Sequence, residues 1–334
     1  MANRIAINGF GRIGRLAFRQ LMSLDGLEVV AINDLAPLDN LAYLLRHDSV
    51  QADPEADIEA GDGVLNWDDK KVRFSRLSDP DDLPWREIGV DIVIEATGVF
   101  RRREDAAKHL DAGAKRVIIT APSKSADLTV CMGVNEGQYD PARHTIISNA
   151  SCTTNCLAPV AKVLHEEFGI VTGFLTTVHA ITKSQSTVDS SYGKWTRGRS
   201  AVANIVPTTT GAAVATTLVL PELEGKLDGL AMRVPVPVGS IIDFVVQTEK
   251  PVSVDRVNDA FRRAATADGL RGILGVAEDP LVSTDVIGTT YSALVEALST
   301  MVLGQHTAKV LAWYDNEWGY ARRVVDLAAY ISRE

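Results

Sequence analysis

Cysteine is scarce in this chain: three residues among 334, Cys131, Cys152 and Cys156. An odd number without framework spacing in so long a chain excludes a disulfide scaffold and points to a reducing compartment. Cys152 and Cys156 have the spacing of half a metal site, but no second Cys or His cluster completes a tetrahedral set, so no structural metal is expected. No apolar run reaches the roughly 20 residues that span a bilayer, and the N-terminus lacks the basic-then-apolar pattern of a secretory signal. A cytoplasmic protein without membrane association is therefore expected. Runs of one charge are missing apart from Arg101-Arg102-Arg103, as are Pro/Gly/Ser-rich tracts, which excludes an extensively disordered chain. The net charge of −9 repels phosphodiester backbones, so nucleic acid is not an expected partner.

What is present suits two cored domains, because single cores stop growing near about 250–300 residues and 46% of this chain is hydrophobic. The pattern opens with a strand (Arg4 to Asn8), a glycine-rich turn (Gly9 to Gly14), a helix (Arg15 to Leu24) and a strand (Glu28 to Ile32). Further strand-like runs at Asp91 to Glu95, Val117 to Thr120, Thr129 to Met132 and Thr145 to Ser148, with a helix from Arg102 to Ala112, predict an α/β fold with a Rossmann-type doubly wound parallel sheet. After Ser148 the texture changes. A helix from Thr153 to Phe168 precedes longer strands at Thr172 to Ile181, Leu227 to Val236 and Ser240 to Thr248, for which antiparallel pairing is expected. A strand at Ala308 to Trp313 and an amphipathic helix at Tyr320 to Ile331 close the chain. The expected organisation is a dinucleotide-binding domain over residues 1–150, completed by a C-terminal helical segment 315–334, and an α+β catalytic domain with a mainly antiparallel sheet over residues 151–314. The polar stretch from Thr182 to Ile205 has no period and reads as a functional or interface loop.

Gly9-Phe10-Gly11-Arg12-Ile13-Gly14 follows a strand and opens a helix, and Asp34 ends the next strand twenty residues on. Gly9 permits the tight turn, Gly11 lets backbone approach a pyrophosphate and Gly14 allows close helix–strand packing, while the carboxylate suits a ribose. The competing reading is a tight turn that happens to be glycine-rich. Cys152 stands in the first turn of a helix, where the dipole favours a thiolate. From position alone it is a nucleophile or a buried helix-start thiol, whereas Cys156 and Cys131, the latter in a strand, read as packing. His179 is the candidate base, set against the ordinary structural role of a strand histidine. His47, His109, His144, His165 and His306 lie in loop or charged-helix contexts without a nearby nucleophile. Thr208-Thr209-Thr210-Gly211 before an alanine-rich helix, Arg199 and Arg233 suit oxyanions, and together with the cysteine they suggest a phosphorylated substrate.

Three runs carry a resemblance: Ala6-Ile7-Asn8-Gly9-Phe10-Gly11-Arg12-Ile13-Gly14-Arg15, Ser148-Asn149-Ala150-Ser151-Cys152-Thr153-Thr154-Asn155-Cys156, and Trp313-Tyr314-Asp315-Asn316-Glu317-Trp318-Gly319-Tyr320. From about residue 3 to residue 331 the chain resembles the phosphorylating glyceraldehyde-3-phosphate dehydrogenases. The resemblance implies oxidation of glyceraldehyde 3-phosphate with NAD and inorganic phosphate by a homotetramer, with Cys152 as nucleophile and His179 as its partner. It implies that Ser151, Thr153, Arg199, Thr210 and Gly211 bind incoming phosphate, and that Thr182 and Arg233 bind the substrate's own phosphate. The implied cofactor contacts are Gly9, Phe10, Gly11, Arg12, Ile13, Gly14, Asp34, Ser78, Thr97, Thr120 and Asn316. Three departures stand out: Ser78 replaces a frequent arginine, Val238 a frequent asparagine, and Ser190-Ser191 a pair that usually ends in proline, which leaves NADP as a second acceptor. The rival readings are erythrose-4-phosphate dehydrogenase, which the sequence Thr210-Gly211-Ala212-Ala213 disfavours, and a non-catalytic binding protein on the same fold.

Overall fold

A computed structural model describes residues 2–333. The chain divides into two compact units: residues 1–130, 136–151 and 321–334 form the first, and residues 131–135 and 152–320 the second.

In the first unit the elements are β1 (Asn3–Asn8), α1 (Arg12–Leu21), β2 (Leu27–Asn33), α2 (Leu38–Arg46), β3 (Ile58–Gly61), β4 (Val64–Trp67), β5 (Lys70–Ser75), α3 (Trp85–Ile88), β6 (Ile92–Glu95), α4 (Arg103–Asp111), β7 (Arg116–Ile119), β8 (Leu128–Thr129) and β9 (Ile146–Ser148). They build one sheet in the order β3-β4-β5-β2-β1-β6-β7-β9-β8. All its pairs are parallel except β3–β4 and β4–β5. Ile5, Ala6 and Ile7 are wholly buried in succession, as expected of a parallel strand covered on both faces. The strand order reverses between β1 and β6, so a crevice for a ligand lies at the carboxyl ends of those strands.

The glycine turn feeds α1 three residues earlier than the periodicity predicts, with Gly11 as its N-cap. A β-carbon on Gly14 would be driven into the Gly9 carbonyl oxygen, whereas one on Gly11 would meet nothing within 4 Å. Gly9 has φ of 95°, and a β-carbon there would lie 2.5 Å from the Thr97 backbone nitrogen. The strand expected at Thr129 to Met132 ends at Thr129. Cys131 lies in the turn beyond it and is fully buried, its backbone N–H donating to Asn135 Oδ1 at 2.9 Å. Asn135 draws that amide out of the ladder.

The second unit contains α5 (Cys152–Phe168), β10 (Ile170–His179), β11 (Val206–Thr209), α6 (Ala212–Thr217), β12 (Leu227–Arg233), β13 (Ser240–Thr248), α7 (Val254–Thr266), β14 (Leu274–Ala277), β15 (Ala293–Glu296), β16 (Met301–Leu303) and β17 (Thr307–Tyr314); α8 (Trp318–Ile331) ends the chain. The sheet order is β11-β12-β10-β13-β17-β15-β14, with β16 on β17. It is mainly antiparallel, yet β10 and β12 run parallel, against the expectation for these two strands. The segment between them, with β11 and α6, is long enough to return the chain to the same end of the sheet, the crossover that parallel pairing requires. Along β10, Gly173, Leu175, Thr177 and His179 are buried in strict alternation, so His179 continues the inward face.

Gly14→Ala should destabilise the fold by roughly 1–3 kcal/mol from forced overpacking, read as a lower midpoint of urea unfolding. Gly11→Ala should leave that midpoint almost unchanged. Equal effects would mean that the Gly9–Gly14 approach does not hold the turn.

Candidate active site

Strand and helix ends converge in the second unit. Cys152 is the first residue of α5, His179 the last of β10, Arg233 the last of β12 and Tyr314 the last of β17. The parallel register pairs His179 directly with Arg233. Cys152 Sγ lies 3.4 Å from His179 Nε2. Cys152 is half-buried and His179 is buried. Two residues before the cysteine, Ala150 takes φ of 54°, a left-handed conformation that costs a residue with a β-carbon about 1–2 kcal/mol.

On the far side of the imidazole, Nδ1 faces the Ala180 carbonyl at 2.7 Å and Arg233 Nη1 at 2.5 Å. A guanidinium nitrogen only donates and a carbonyl only accepts, so Nδ1 bonds one or the other. When it accepts from Arg233, Nε2 carries the proton and points it at sulfur. When it donates to Ala180, the Nε2 lone pair faces sulfur instead. Arg233 Nη1 also donates to the Ala180 carbonyl at 2.8 Å, so it keeps a partner in both states. The Tyr314 hydroxyl bonds Thr153 Oγ1 and Thr177 Oγ1, each at 2.9 Å. Burial, with the nearby thiols, pushes that phenol's pKa up and keeps it protonated. Its ring meets the imidazole edge-on, with centroids 5.9 Å apart.

Burial lowers the pKa of His179 to about 3, and the positive charge of Arg233 acts in the same direction. The imidazole is neutral near pH 7. Burial pushes the Cys152 thiol up, while Arg233 and hydrogen bonds at Thr153 pull it down. Moving one proton from Sγ to Nε2 creates a thiolate that Arg233 and the helix start favour. The Cys156 thiol is pushed well up by burial, its Sγ 3.8 Å from the Ala312 carbonyl, and it has no such cation beside it.

Two arginines surround this pair. Arg233 makes no ion pair with any acid among the described residues, and its buried Nε has no hydrogen-bond partner. A partly buried cation left so is ready for an anionic ligand. Arg197, which the sequence reading did not single out, is the second arginine near the pair. Its charge acts on both His179 and Arg233, and its Nε donates to Thr208 Oγ1 at 3.0 Å. Arg199 instead pairs with Asp189 at 2.8 Å, and both side chains are exposed. The two arginines stand two residues apart in an aperiodic loop, and only the facing Thr208 hydroxyl and Thr209 carbonyl signal which one is drawn inward. Thr210 Oγ1 accepts the Ala212 N–H at 3.1 Å, and Thr182 Oγ1 bonds Ser184 Oγ at 2.9 Å. Gly211 caps the short α6, and Ser151 is half-buried.

Asn316 belongs to the same unit. Its Oδ1 accepts from the Gly239 amide at 3.2 Å and from Ser240 Oγ at 2.9 Å, which leaves the amide nitrogen as the donor for another partner. Ser240 Oγ in turn accepts the Ala180 N–H at 3.0 Å. Val238, where the resemblance expects asparagine, is buried.

The residues of the first unit fit a dinucleotide. No side chain caps α1, its first turn carries no acid, and the space above Gly11 is open, as an approaching pyrophosphate requires. Arg15 Nη1 holds the Phe10 carbonyl at 2.9 Å, and Ile13 is half-buried. Asp34 Oδ2 accepts the Phe10 amide at 2.6 Å and Oδ1 the Ala36 amide at 2.9 Å, which fixes the carboxylate and leaves lone pairs for a ribose. Arg12 is ion-paired with Asp48. Thr97 N–H donates to Glu95 Oε1 at 2.9 Å and Thr120 Oγ1 to the Glu95 carbonyl at 3.1 Å, while Ser78 is exposed.

The depressed pKa of His179 sets a sign for acid stability. An unfolded histidine protonates near pH 6.5 and the folded one only near 3, so between these values the unfolded chain binds the extra proton and the folded state loses ground as pH falls. Relative to His179→Asn, wild type should lose roughly 1.4 kcal/mol per pH unit across that window. Parallel stability curves for the two proteins between pH 6.5 and 4 would refute a buried neutral imidazole.

Comparison with known proteins gives two family matches: residues 3–103 match the model described as glyceraldehyde 3-phosphate dehydrogenase, NAD binding domain, and residues 151–316 the one described as its C-terminal domain. A relative from Geobacillus stearothermophilus named glyceraldehyde-3-phosphate dehydrogenase is 54% identical over 332 residues, covering 99% of both chains. One from Streptomyces coelicolor with the same name is 50% identical over 335 residues, covering all of both. Glyceraldehyde-3-phosphate dehydrogenase 1 of Bacillus subtilis is 52% identical over 334 residues, covering all of this chain and 99% of the relative. With both matches and this level of identity along its whole length, the chain belongs to the glyceraldehyde-3-phosphate dehydrogenase family.

Proposed function

We propose that this protein oxidises glyceraldehyde 3-phosphate to 1,3-bisphosphoglycerate with NAD and inorganic phosphate, through a thioester on Cys152. The observation that carries the reading is the Cys152–His179 pair at 3.4 Å beside Arg233, which has no acidic partner among the described residues. Sulfur attacks the aldehyde carbon as its proton passes to Nε2, and Nε2 returns that proton to the former carbonyl oxygen, giving a hemithioacetal. His179 then accepts the hydroxyl proton as the C–H electron pair leaves. NAD, when bound, supplies the acceptor for that hydride. The remaining thioester is attacked by phosphate, the C–S bond breaks, and an acyl phosphate leaves with the thiolate restored. The Cys152 backbone amide and the Nε2–H form of His179 are the donors for the oxyanions.

Arg233 with Thr182 holds the substrate's phosphate. For the incoming phosphate we assign Arg197 the role expected of Arg199, with Ser151, Thr153, Thr210 and Gly211, because Arg199 already has Asp189 as its partner. The Gly9–Gly14 turn, Asp34, Ser78, Thr97 and Thr120 take the cofactor, and Asn316 donates to its carboxamide. Residues 1–150 with the C-terminal segment are the cofactor domain and residues 151–314 the catalytic domain. The protein acts in the cytoplasm as a homotetramer. Val188, Trp195 and Ile205 in the polar loop, and Phe174 on β10, are exposed apolar side chains that a subunit contact would cover. Among the described residues no helix is long and apolar enough to cross a membrane.

NADH formation from glyceraldehyde 3-phosphate, with phosphate present or omitted, tests the activity. Cys152→Ser should lower turnover by several orders of magnitude while NAD binding persists, because an alcohol ionises far less than a thiol. Cys156→Ser should mainly affect stability. His179→Asn should slow both turnover and alkylation of Cys152 by iodoacetamide near neutral pH. Substantial oxidation by Cys152→Ser would sink the thioester route.

Coenzyme choice follows from the pinned Asp34 carboxylate, which cannot swing away from a 2′-phosphate without releasing two backbone amides. Like charges forced together cost several kcal/mol, so kcat/KM should favour NAD over NADP by about tenfold or more. In Asp34→Ala this ratio should fall toward one, as NAD loses the acceptor for its ribose and NADP loses the opposing charge. A wild-type ratio at or below one contradicts the assignment, despite the room that Ser190-Ser191 offers.

A further inference from the structure

Beneath the proposed cofactor site lies a buried polar network that the chemistry leaves unused. Glu95, at the end of β6, is buried and has no Lys or Arg partner among the described residues. Its carboxylate receives four donors. Asn8 Nδ2 donates to Oε2 at 2.6 Å, and His109 Nε2 lies 3.1 Å from the same oxygen. The Thr97 amide donates to Oε1 at 2.9 Å, and the Thr97 hydroxyl donates there too, because it already accepts the Val99 N–H at 3.0 Å. His109 is forced into its role as donor. The Trp85 indole N–H, which only donates, reaches its Nδ1 at 3.0 Å, so the imidazole proton sits on Nε2. With donors on every side, Glu95 has no use for a proton of its own and is a carboxylate anion.

From Glu95 the bonds run sideways across the strand ends. Asn8 Oδ1 accepts from Asn33 Nδ2 at 2.8 Å, and Asn33 Oδ1 accepts from Ser75 Oγ at 3.0 Å and the Leu77 N–H at 2.9 Å. Four members adjoin a proposed cofactor contact in the chain: Asn8 precedes Gly9, Asn33 precedes Asp34, Leu77 precedes Ser78, and Glu95 grips Thr97 itself. We infer that Glu95 is the positioning residue of the dinucleotide site, an anion whose hydrogen bonds set the places of four separate binding segments. The inference rests on the cofactor reading above.

Its charge makes the test sharp. A buried anion under a site for a dianionic pyrophosphate opposes binding electrostatically, so removing the charge in Glu95→Gln should tighten NAD if charge alone matters. Positioning predicts the opposite sign. The Kd of NAD, measured by titration calorimetry on the full-length protein, should rise about tenfold or more in Glu95→Gln, the scale of one lost charged hydrogen bond. The KM for NAD should rise with it, while kcat at saturating NAD stays near wild type. His109→Phe should weaken NAD similarly, and His109→Gln, which restores an N–H donor, should recover most of the affinity; this pair carries the test if Glu95→Gln fails to fold. A Kd that falls or stays unchanged in Glu95→Gln, or equal values for His109→Phe and His109→Gln, overturns the inference. A wild-type protein that did not bind NAD would instead overturn the cofactor reading beneath it.

Discussion

The parallel pairing of β10 with β12 is the constraint on which the second unit's chemistry depends. It places His179 opposite Arg233 in register, so a guanidinium stands against one nitrogen of the imidazole while the other faces Cys152. Antiparallel pairing of the same strands would put these two residues at opposite ends of the sheet. The crossover through β11 and α6 is therefore a functional part of the fold, since it returns β12 in the direction the site needs. Its other product is the facing row of Thr208 and Thr209, which draws in Arg197 from the loop.

Much of this was legible in the sequence because it is written locally. The glycine turn, the acid at the end of β2 and the cysteine at a helix start follow from spacing and backbone sterics, and β10 announces its inward face by alternation. The direction of β12 was not legible, because strand sense is set by the chain between two strands and not by the strands themselves. Nor was the choice between Arg197 and Arg199, where two like residues share one loop and Asp189, ten residues before Arg199, decides which is spoken for. The hairpins of β3 to β5 are short and largely exposed, so they carry little periodicity. Tyr314 gave no signal beyond its place in a familiar run, since a phenol at a strand end reads as packing until Thr153 and Thr177 are seen on either side.

The two units also handle buried polar atoms differently. In the first, each donor and acceptor among Asn8, Asn33, Glu95 and His109 has one consistent assignment. Networks satisfied in that way rigidify what surrounds them. In the second, Nδ1 of His179 faces a donor and an acceptor at similar distances. Either nitrogen can therefore carry the proton with a partner in place for the other.

The contrast separates a structural histidine from a chemical one on physical grounds. His109 and His179 are both buried, both neighbour a polar side chain through Nε2, and both are isolated histidines in the sequence. Trp85 locks the first into one tautomer, because an indole N–H can do nothing but donate. No such lock acts on the second, whose Nδ1 can take Arg233 or give to Ala180 while Nε2 does the reverse toward sulfur. A group that must accept a proton in one step and return it in another needs this freedom, and a group that anchors a carboxylate needs its absence. Burial alone therefore says little about which histidine reacts; the number of acceptable proton positions around the ring says more.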